Sequence, residues 1–176
     1  MNVQIILLNY QRKDFTDRVK AQNLNNANYP FSLLEVDMKG ISAAFNYGLS
    51  KSLEFDAVVF MANDILLPND WLRRMVLAAQ DIPETGCVGI YCVETPGEPL
   101  VINKTAIRKV PTAFGSTLYP MKAIKKVGGY NPHYDPYSFQ DADYALRLSM
   151  AGFISSYLEV LKAEHIGDDV GNGTEY

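Results

Sequence analysis

Asp64 is the first residue whose position in the sequence points to chemistry. The segment VVFMANDILLPNDWL, residues 58–72, begins as a buried strand and stops on Asn63 and Asp64. A carboxylate there usually caps a turn or a helix, but Asn69 or Asp70 precedes the next helical pattern and can serve as its cap. Asp64 then has no capping duty, and carboxylates are common metal ligands. The pattern predicts that Asp64 binds a metal ion, with a turn residue as the alternative.

Asp141 is the second candidate, in the segment SFQDADYALRLSMAG. Ser138 is the expected N-cap, so Asp141 and Asp143 fall in the first turn of a helix, where the helix dipole favours anions. Asp143 precedes Arg147 by four residues, the favourable order for an ion pair. Asp141 has only Ala145 at that spacing, so its carboxylate is free to accept a proton. The alternative is an acid that only complements the dipole.

His165 ends the last predicted strand, within KAEHIGDD. A lone histidine is more often structural than functional, but a glycine-containing tail follows this one, which makes it a candidate site residue. The loop GGYNPHYDPYSF contains Tyr130, Tyr134 and Tyr137. Aromatic side chains at that density suit stacking on a sugar ring, and packing within the loop is the alternative.

Strands and helices that alternate along the chain must position these side chains. Continuous apolar runs predict buried strands, and apolar residues at helical spacing predict helices between them. This order predicts an α/β fold, a single Rossmann-like domain with a central, mostly parallel sheet flanked by helices. The predicted strands are 3–8, 31–36, 57–61 and 154–160, with short strands between 87 and 120, and the predicted helices are 13–24, 41–53, 70–80 and 139–151.

Ligands of open parallel sheets bind beyond the carboxyl ends of the strands. The polar residues there are therefore predicted to line one crevice, although Asp37, before Lys39 and Gly40, could equally be a turn residue. These residues are Asn9, Tyr10, Asp37, Asn63 and Asp64. We expect residues 1–85 to form a ligand-binding half, 86–165 a second half, and 166–176 a flexible tail.

Composition limits the class of protein. The chain has 176 residues, 48% of them hydrophobic, and a net charge of −4, which suits one domain without a nucleic-acid partner. A phosphate-bearing ligand would then need a metal ion or backbone N–H groups. With no long apolar run or signal segment, the expected location is the cytoplasm. Cys87 and Cys92 point to opposite faces of a strand and are expected to stay reduced.

Together these motifs resemble the family 2 glycosyltransferases of GT-A fold. The apolar strand ending in ND before LPNDWL, the block GGYNPHYDPYSFQDADYALRLSMAGF, and the later strand and histidine follow the family's order. The helix GISAAFNYGLSKSL is similar to the family's glycine-Ala-Arg-Asn-glycine helix. Ala62 stands where the first acid of the family's Asp-x-Asp motif would be, Gln140 where its Glu-Asp pair has glutamate, and Phe45 where its helix has arginine.

The resemblance implies a metal-dependent hexosyltransferase. Asp64 and His165 would bind Mn²⁺ or Mg²⁺, and Asp141 would be the catalytic base of an inverting reaction. The donor would be a nucleoside-diphosphate sugar, expected to be a UDP-sugar, and the acceptor a saccharide or another hydroxyl compound. Implied donor contacts are Asn9, Tyr10, Asp37, Asn63 and Asp64, and implied acceptor contacts are Tyr130, Tyr134 and Gln140.

Two other classes of protein fit part of the pattern. A sugar nucleotidyltransferase would share the sheet and the metal-binding acid, but it needs a glycine-rich loop after the first strand, and NYQRKDF has no glycine. A non-catalytic nucleotide-sugar-binding module would keep Asp64 and Asp37 and tolerate Ala62 and Gln140. Hydrolysis of a donor in the presence of manganese distinguishes an enzyme from such a module.

Overall fold

A central sheet organises the protein, whose computed structural model describes residues 1–9, 12–92, 97–136 and 138–167. The strands are β1 (Val3–Leu8), β2 (Ser32–Val36), β3 (Ala57–Met61), β4 (Ile65–Leu66), β5 (Thr85–Tyr91), β6 (Glu98–Ile102), β7 (Thr105–Val110), β8 (Thr117–Pro120), β9 (Ile154–Lys162) and β10 (Glu164–His165). The helices are α1 (Lys13–Val19), which continues as a π-helical segment (Lys20–Leu24), α2 (Ile41–Ser50), α3 (Trp71–Asp81), α4 (Met121–Val127) and α5 (Gln140–Met150), with a 3₁₀ turn at Pro132–Tyr134.

The main sheet has the strand order β2-β1-β3-β8-β5-β9-β7-β6, and β4 pairs with β10 in a separate two-stranded ribbon. β1 runs parallel to β2 and β3, and β5 runs parallel to β9. The pairs that involve β8 or β7 are antiparallel. The predicted α/β fold with helices around a central sheet is therefore confirmed, and the second half of the chain makes the sheet mixed.

Hydrophobic clusters cover both faces of the sheet. Val3, Ile5 and Leu7 of β1 pack with α1 and α3, whereas Ile6 packs with α2, α4 and α5 on the opposite face. Because side chains alternate along a strand, β1 can carry apolar side chains on both of its faces only if both faces are covered. This explains why the strand is apolar except for Gln4, which is buried and accepts a hydrogen bond from the Ser52 hydroxyl.

The helix starts differ from the sequence predictions. Asp70 precedes α3 with φ 68°, and its side chain caps no N–H group. Its oxygens instead accept hydrogen bonds from Arg73, whose guanidinium holds the pKa of Asp70 down at about 2. Ser138 is not the N-cap of α5, because Phe139 precedes the helix with φ 58° and no side-chain cap. The helix end at Gly152, with φ 86°, is as predicted.

Other features complete the comparison with the sequence. Helix α4 was not predicted, since it directly follows a buried strand and Pro120 precedes it without a side-chain cap. Cys87 and Cys92 are both free of disulfides, as expected, and burial raises the pKa of Cys87 to about 12. None of the helices in the described ranges has the length and apolarity needed to cross a lipid bilayer.

Gly48→Ala is expected to destabilise the protein, although alanine is usually the better helix former by about 1 kcal/mol. A Cβ atom at Gly48 of α2 would lie 2.6 Å from Cγ2 and 2.8 Å from Cδ1 of Ile6 in β1. Overpacking of this kind costs about 1–3 kcal/mol. Urea denaturation should show the loss, and Ser50→Ala, at an exposed position of the same helix, serves as the control. Higher stability of Gly48→Ala would contradict the close packing of α2 on β1.

Candidate active site

The ribbon of β4 and β10 brings together Asp64 and His165. His165 pairs with Ile65 in this antiparallel ribbon, and the Ile166 N–H donates to the Asp64 carbonyl at 2.8 Å. These backbone contacts place His165 Nε2 3.3 Å from Asp64 Oδ2. Both side chains are partly exposed, at 32% for His165 and 27% for Asp64. Two residues that the sequence singled out separately therefore share one site.

This pair fits a divalent cation. Carboxylate oxygen and imidazole nitrogen are ligands of Mn²⁺ and related ions, and atoms 3.3 Å apart can both contact one ion at ordinary bond lengths. Gly167 allows the chain to pass close by, because a Cβ there would lie 3.0 Å from Asp64 Oδ2. Within residues 1–9, 12–92, 97–136 and 138–167, no cluster of three or more His, Cys, Asp or Glu side chains could hold a metal. A cation at the pair would keep coordination positions open for a ligand.

The other polar strand ends have more varied environments. Asn63 Nδ2 donates to Thr16 Oγ1 at 3.2 Å, so the amide is fixed against α1. Asn9 Nδ2 donates to Glu35 Oε2 at 3.3 Å, beside β2. Asp37 is exposed just beyond β2. Because β1 pairs in parallel with β2 and β3, all these ends lie at the same edge of the sheet, but a role in donor binding stays a prediction.

Three sequence predictions fall partly or wholly outside the described residues. The predicted donor contact Tyr10 and the stacking candidate Tyr137 lie outside them, and the predicted flexible tail 166–176 is described only as far as Gly167.

Asp141 lies in the first turn of α5 and is half-buried. Burial raises its pKa to about 6, and a hydrogen bond from a tyrosine partly offsets this effect. The donor is the Tyr130 hydroxyl, 2.9 Å from Asp141 Oδ1. A carboxylate with a pKa near 6 is ionised at neutral pH and is a stronger base than an ordinary aspartate. The raised pKa of Asp141 therefore suits a general base.

Tyr130 and Gln140 do not lie where the acceptor prediction requires them. Tyr130 is only 3% exposed, and its ring stacks on Phe45 with 4.1 Å between centroids. The Tyr130 ring therefore offers no open surface for a sugar. Gln140 is 4% exposed, and its Oε1 accepts from the Ser138 N–H at 2.9 Å. Tyr134, in the 3₁₀ turn, is partly exposed and remains a predicted acceptor contact.

The structural role predicted for Asp143 is confirmed. Arg147 Nε donates to Asp143 Oδ2 at 2.8 Å within α5. Arg147 also donates through Nη1 to the Val127 carbonyl at 2.8 Å, which ties α5 to the end of α4. The helix that carries Asp141 is thus held by its own ion pair and by a neighbouring helix.

Sequence reasoning did not identify two residues that shape the site. Asp135 accepts from the N–H groups of Ser42 at 2.8 Å and Ala43 at 3.0 Å, so it caps the start of α2 across the fold. Asn46 binds both backbone groups of Tyr130 at 2.8 Å. Asn46 belongs to the segment GISAAFNYGLSKSL, but nothing in its local sequence indicates that it binds Tyr130.

Comparison with known proteins places the fold. No family model matches the chain, and neither does any curated protein sequence. GalNAc-T7 with UDP, GalNAc and Mn²⁺ aligns with a TM-score of 0.70 and 10% identity over 99% of this chain and 45% of that one. The catalytic domain of Drosophila β1,4-galactosyltransferase 7, in complex with xylobiose, has a TM-score of 0.70 and 14% identity over 95% and 71%. The mannosyltransferase PcManGT from Pyrobaculum calidifontis, in complex with GDP-Man and Mn²⁺, has a TM-score of 0.72 and 16% identity over 97% and 58%.

The chain has the GT-A fold of these glycosyltransferases, as the sequence resemblance predicted. It spans 45% of GalNAc-T7 and 58% of PcManGT, so those enzymes are considerably longer than the shared region. At 10–16% identity the likeness establishes the fold, and the activity must be argued from the site.

Proposed function

We propose that the protein is a metal-dependent, inverting glycosyltransferase that moves a hexose from a nucleoside-diphosphate sugar to an acceptor hydroxyl. The observation that carries the proposal is the pair of Asp64 and His165, whose ligand atoms lie 3.3 Å apart at the end of the central sheet. Similar folds have been crystallised with UDP and Mn²⁺ or with GDP-Man and Mn²⁺, which supports a nucleotide-sugar donor.

Asp64 and His165 are the residues that would hold Mn²⁺ or Mg²⁺ in this chain. A divalent cation supplies positive charge that offsets the negative charge developing on the diphosphate leaving group. The protein itself is acidic, with a net charge of −4, so positive charge from a cation would favour the binding of a diphosphate. Asn9, Tyr10, Asp37 and Asn63 are the proposed contacts to the rest of the donor, with a UDP-sugar as the expected donor.

Asp141 is the proposed general base. Its carboxylate would take the proton from the acceptor hydroxyl while the acceptor oxygen attacks the anomeric carbon and the diphosphate leaves from the opposite side. One displacement at that carbon inverts its configuration. Since the pKa of Asp141 is about 6, the base is ionised at neutral pH, and the rate should fall as the pH drops below that value.

The acceptor side of the site needs a revised set of contacts, because Tyr130 and Gln140 are buried. Phe139 directly precedes α5 and is 74% exposed, so it offers an aromatic face two residues before Asp141. Tyr134, earlier in the same loop, is partly exposed. We propose that these two residues contact a saccharide acceptor, because aromatic faces stack on the apolar faces of sugar rings.

Release of nucleoside diphosphate from donor sugars tests the proposed function. The purified protein is incubated with UDP-sugars and GDP-mannose, with and without Mn²⁺ and with a saccharide acceptor such as xylobiose. We expect nucleotide release from at least one donor, dependent on Mn²⁺ and abolished by EDTA. Calorimetry on the same samples measures nucleotide binding. Tight Mn²⁺-dependent nucleotide binding without release from any donor would contradict the proposal and favour a binding module.

A further inference from the structure

A chain of hydroxyl groups leads from the interior of the protein to Asp141. The Tyr130 hydroxyl donates to Asp141 Oδ1 at 2.9 Å and lies 2.7 Å from the Tyr119 hydroxyl of β8. Tyr119 and Tyr130 are both buried, at 2% and 3% exposure. In apolar surroundings a hydrogen bond has a stronger electrostatic effect than in water, and a lost partner is costly. Tyr130 is therefore well placed to control the state of the Asp141 carboxylate.

Helix α2 holds Tyr130 in place. Asn46 Nδ2 donates to the Tyr130 carbonyl at 2.8 Å, and the Tyr130 N–H donates to Asn46 Oδ1 at 2.8 Å. Gly129 leaves room for this clamp, because a Cβ there would lie 2.2 Å from Asn46 Oδ1. The ring of Phe45, the residue before Asn46 in α2, stacks on the Tyr130 ring with 4.1 Å between their centroids. Both the backbone and the ring of Tyr130 are thus fixed by neighbouring residues of one helix.

We propose that Tyr130 is a positioning residue that fixes the orientation and the protonation of Asp141, and that Asn46 acts through Tyr130 to the same end. The role of Asp141 as a base rests on the proposed function, whereas the effect of Tyr130 on the titration of Asp141 does not. Phe45, which stands where the similar family has arginine, then serves as the packing surface that orients Tyr130.

The groups around Asp141 give the expected direction of the effect. Burial raises the pKa of Tyr119 of β8, Cys87 of β5 and Tyr157 of β9, and the nearby charge of Asp141 raises each of them further, so all three are neutral at physiological pH. Burial also raises the pKa of Asp141, and the Tyr130 hydroxyl lowers it by stabilising the carboxylate. Removal of that hydroxyl should therefore raise the pKa of Asp141.

Tyr130→Phe tests the inference directly. The Asp141 carboxyl is titrated by NMR in protein labelled with ¹³C-aspartate, and its signal is assigned by its absence from Asp141→Asn. We expect the midpoint to rise by about one pH unit in Tyr130→Phe, since a hydrogen bond to a charged group in a buried site is worth roughly that much. An unchanged or lowered midpoint would overturn the inference, whether or not the protein is a transferase.

Tyr144→Phe is the matched control. Tyr144 lies in the same aromatic cluster, with its ring 5.0 Å from that of Tyr130, but its hydroxyl donates to the Gly128 carbonyl at 2.9 Å. Loss of this hydroxyl should leave the Asp141 midpoint where it is. An equal shift in Tyr144→Phe would mean that general loosening of the cluster, and not the Tyr130 hydrogen bond, sets the titration.

Asn46→Ala tests the clamp by removing both of its hydrogen bonds without adding a charge to the site. Circular dichroism checks that the variant is folded. We expect a smaller rise of the Asp141 midpoint than in Tyr130→Phe. If donor turnover is found, the acidic limb of kcat should move with the NMR midpoint while KM for the donor stays constant. If the acidic limb of kcat did not move with the NMR midpoint of Asp141, Asp141 would not be the base. The effect of Tyr130 on the titration of Asp141 would still hold.

Discussion

Asp64→Asn is expected to weaken Mn²⁺ binding by about a hundredfold or more when UDP is present. Loss of a residue that only supports a ligand typically costs 10–100-fold in metal affinity, and loss of a direct ligand should cost at least as much. Asparagine keeps the size of the side chain, and the backbone carbonyl that accepts from Ile166 is unaffected. Calorimetric titration of Mn²⁺ into the protein with UDP measures the effect.

Two further variants complete this test. His165→Ala should weaken Mn²⁺ binding by about tenfold, a smaller loss because a water molecule can take the place of the imidazole. Asp17→Asn makes the same substitution at an exposed position of α1 and should leave the affinity unchanged. Wild-type affinity in Asp64→Asn would exclude Asp64 as a metal ligand.

Asp141→Asn is expected to lower the rate of sugar transfer from the donor to the acceptor by about a hundredfold or more. The affinity for the donor should stay nearly unchanged. Asparagine keeps the shape of the side chain at the start of α5 but cannot take up the proton of an attacking hydroxyl. In the wild-type protein kcat should decline below a pH of about 6, as the Asp141 carboxylate becomes protonated, and this decline should be absent from the residual activity of the variant. Steady-state kinetics over a pH series measures both effects.

Asp143→Asn is the matched control for this prediction. It makes the same substitution in the same turn of α5 but removes only the ion pair with Arg147. We expect it to keep most of its turnover and the wild-type pH profile. If both variants lost activity equally, the integrity of the helix would explain the result, and Asp141 would be a structural acid.

The parts of the fold that follow from local pattern could be predicted from the sequence. The buried strand Ala57–Met61 is a continuous apolar run, Val3–Leu8 is apolar except for Gln4, and α2 begins and α5 ends close to their predicted limits. The ribbon of β4 and β10 could not be predicted, because each strand has only two residues and exists through its partner. The sequence marked Asp64 and His165 as candidates, whereas their proximity depends on this tertiary pairing.

The environment of Asp141 shows the same limit. Helical spacing pairs Asp141 with Ala145, but its hydrogen-bond partner is Tyr130, which lies outside the helix. The loop around Tyr130 is rich in glycine, proline and tyrosine, a composition typical of exposed loops. Tyr130 is instead buried and its backbone is held by Asn46, 84 residues earlier in the chain, and no local pattern encodes such a contact.

The β4–β10 ribbon also has a consequence for how the protein folds. The ribbon pairs β4, which follows β3, with β10, which follows β9. Contacts between residues so distant in sequence form late, because the entropy cost of closing the long loop between them must first be overcome. Asp64 and His165 are therefore apart in a chain whose second half has not yet joined the sheet. A cation held by the pair would bind only the native state and would raise the free energy of unfolding by mass action. Completion of the sheet and the ability to bind metal would then arise in the same step.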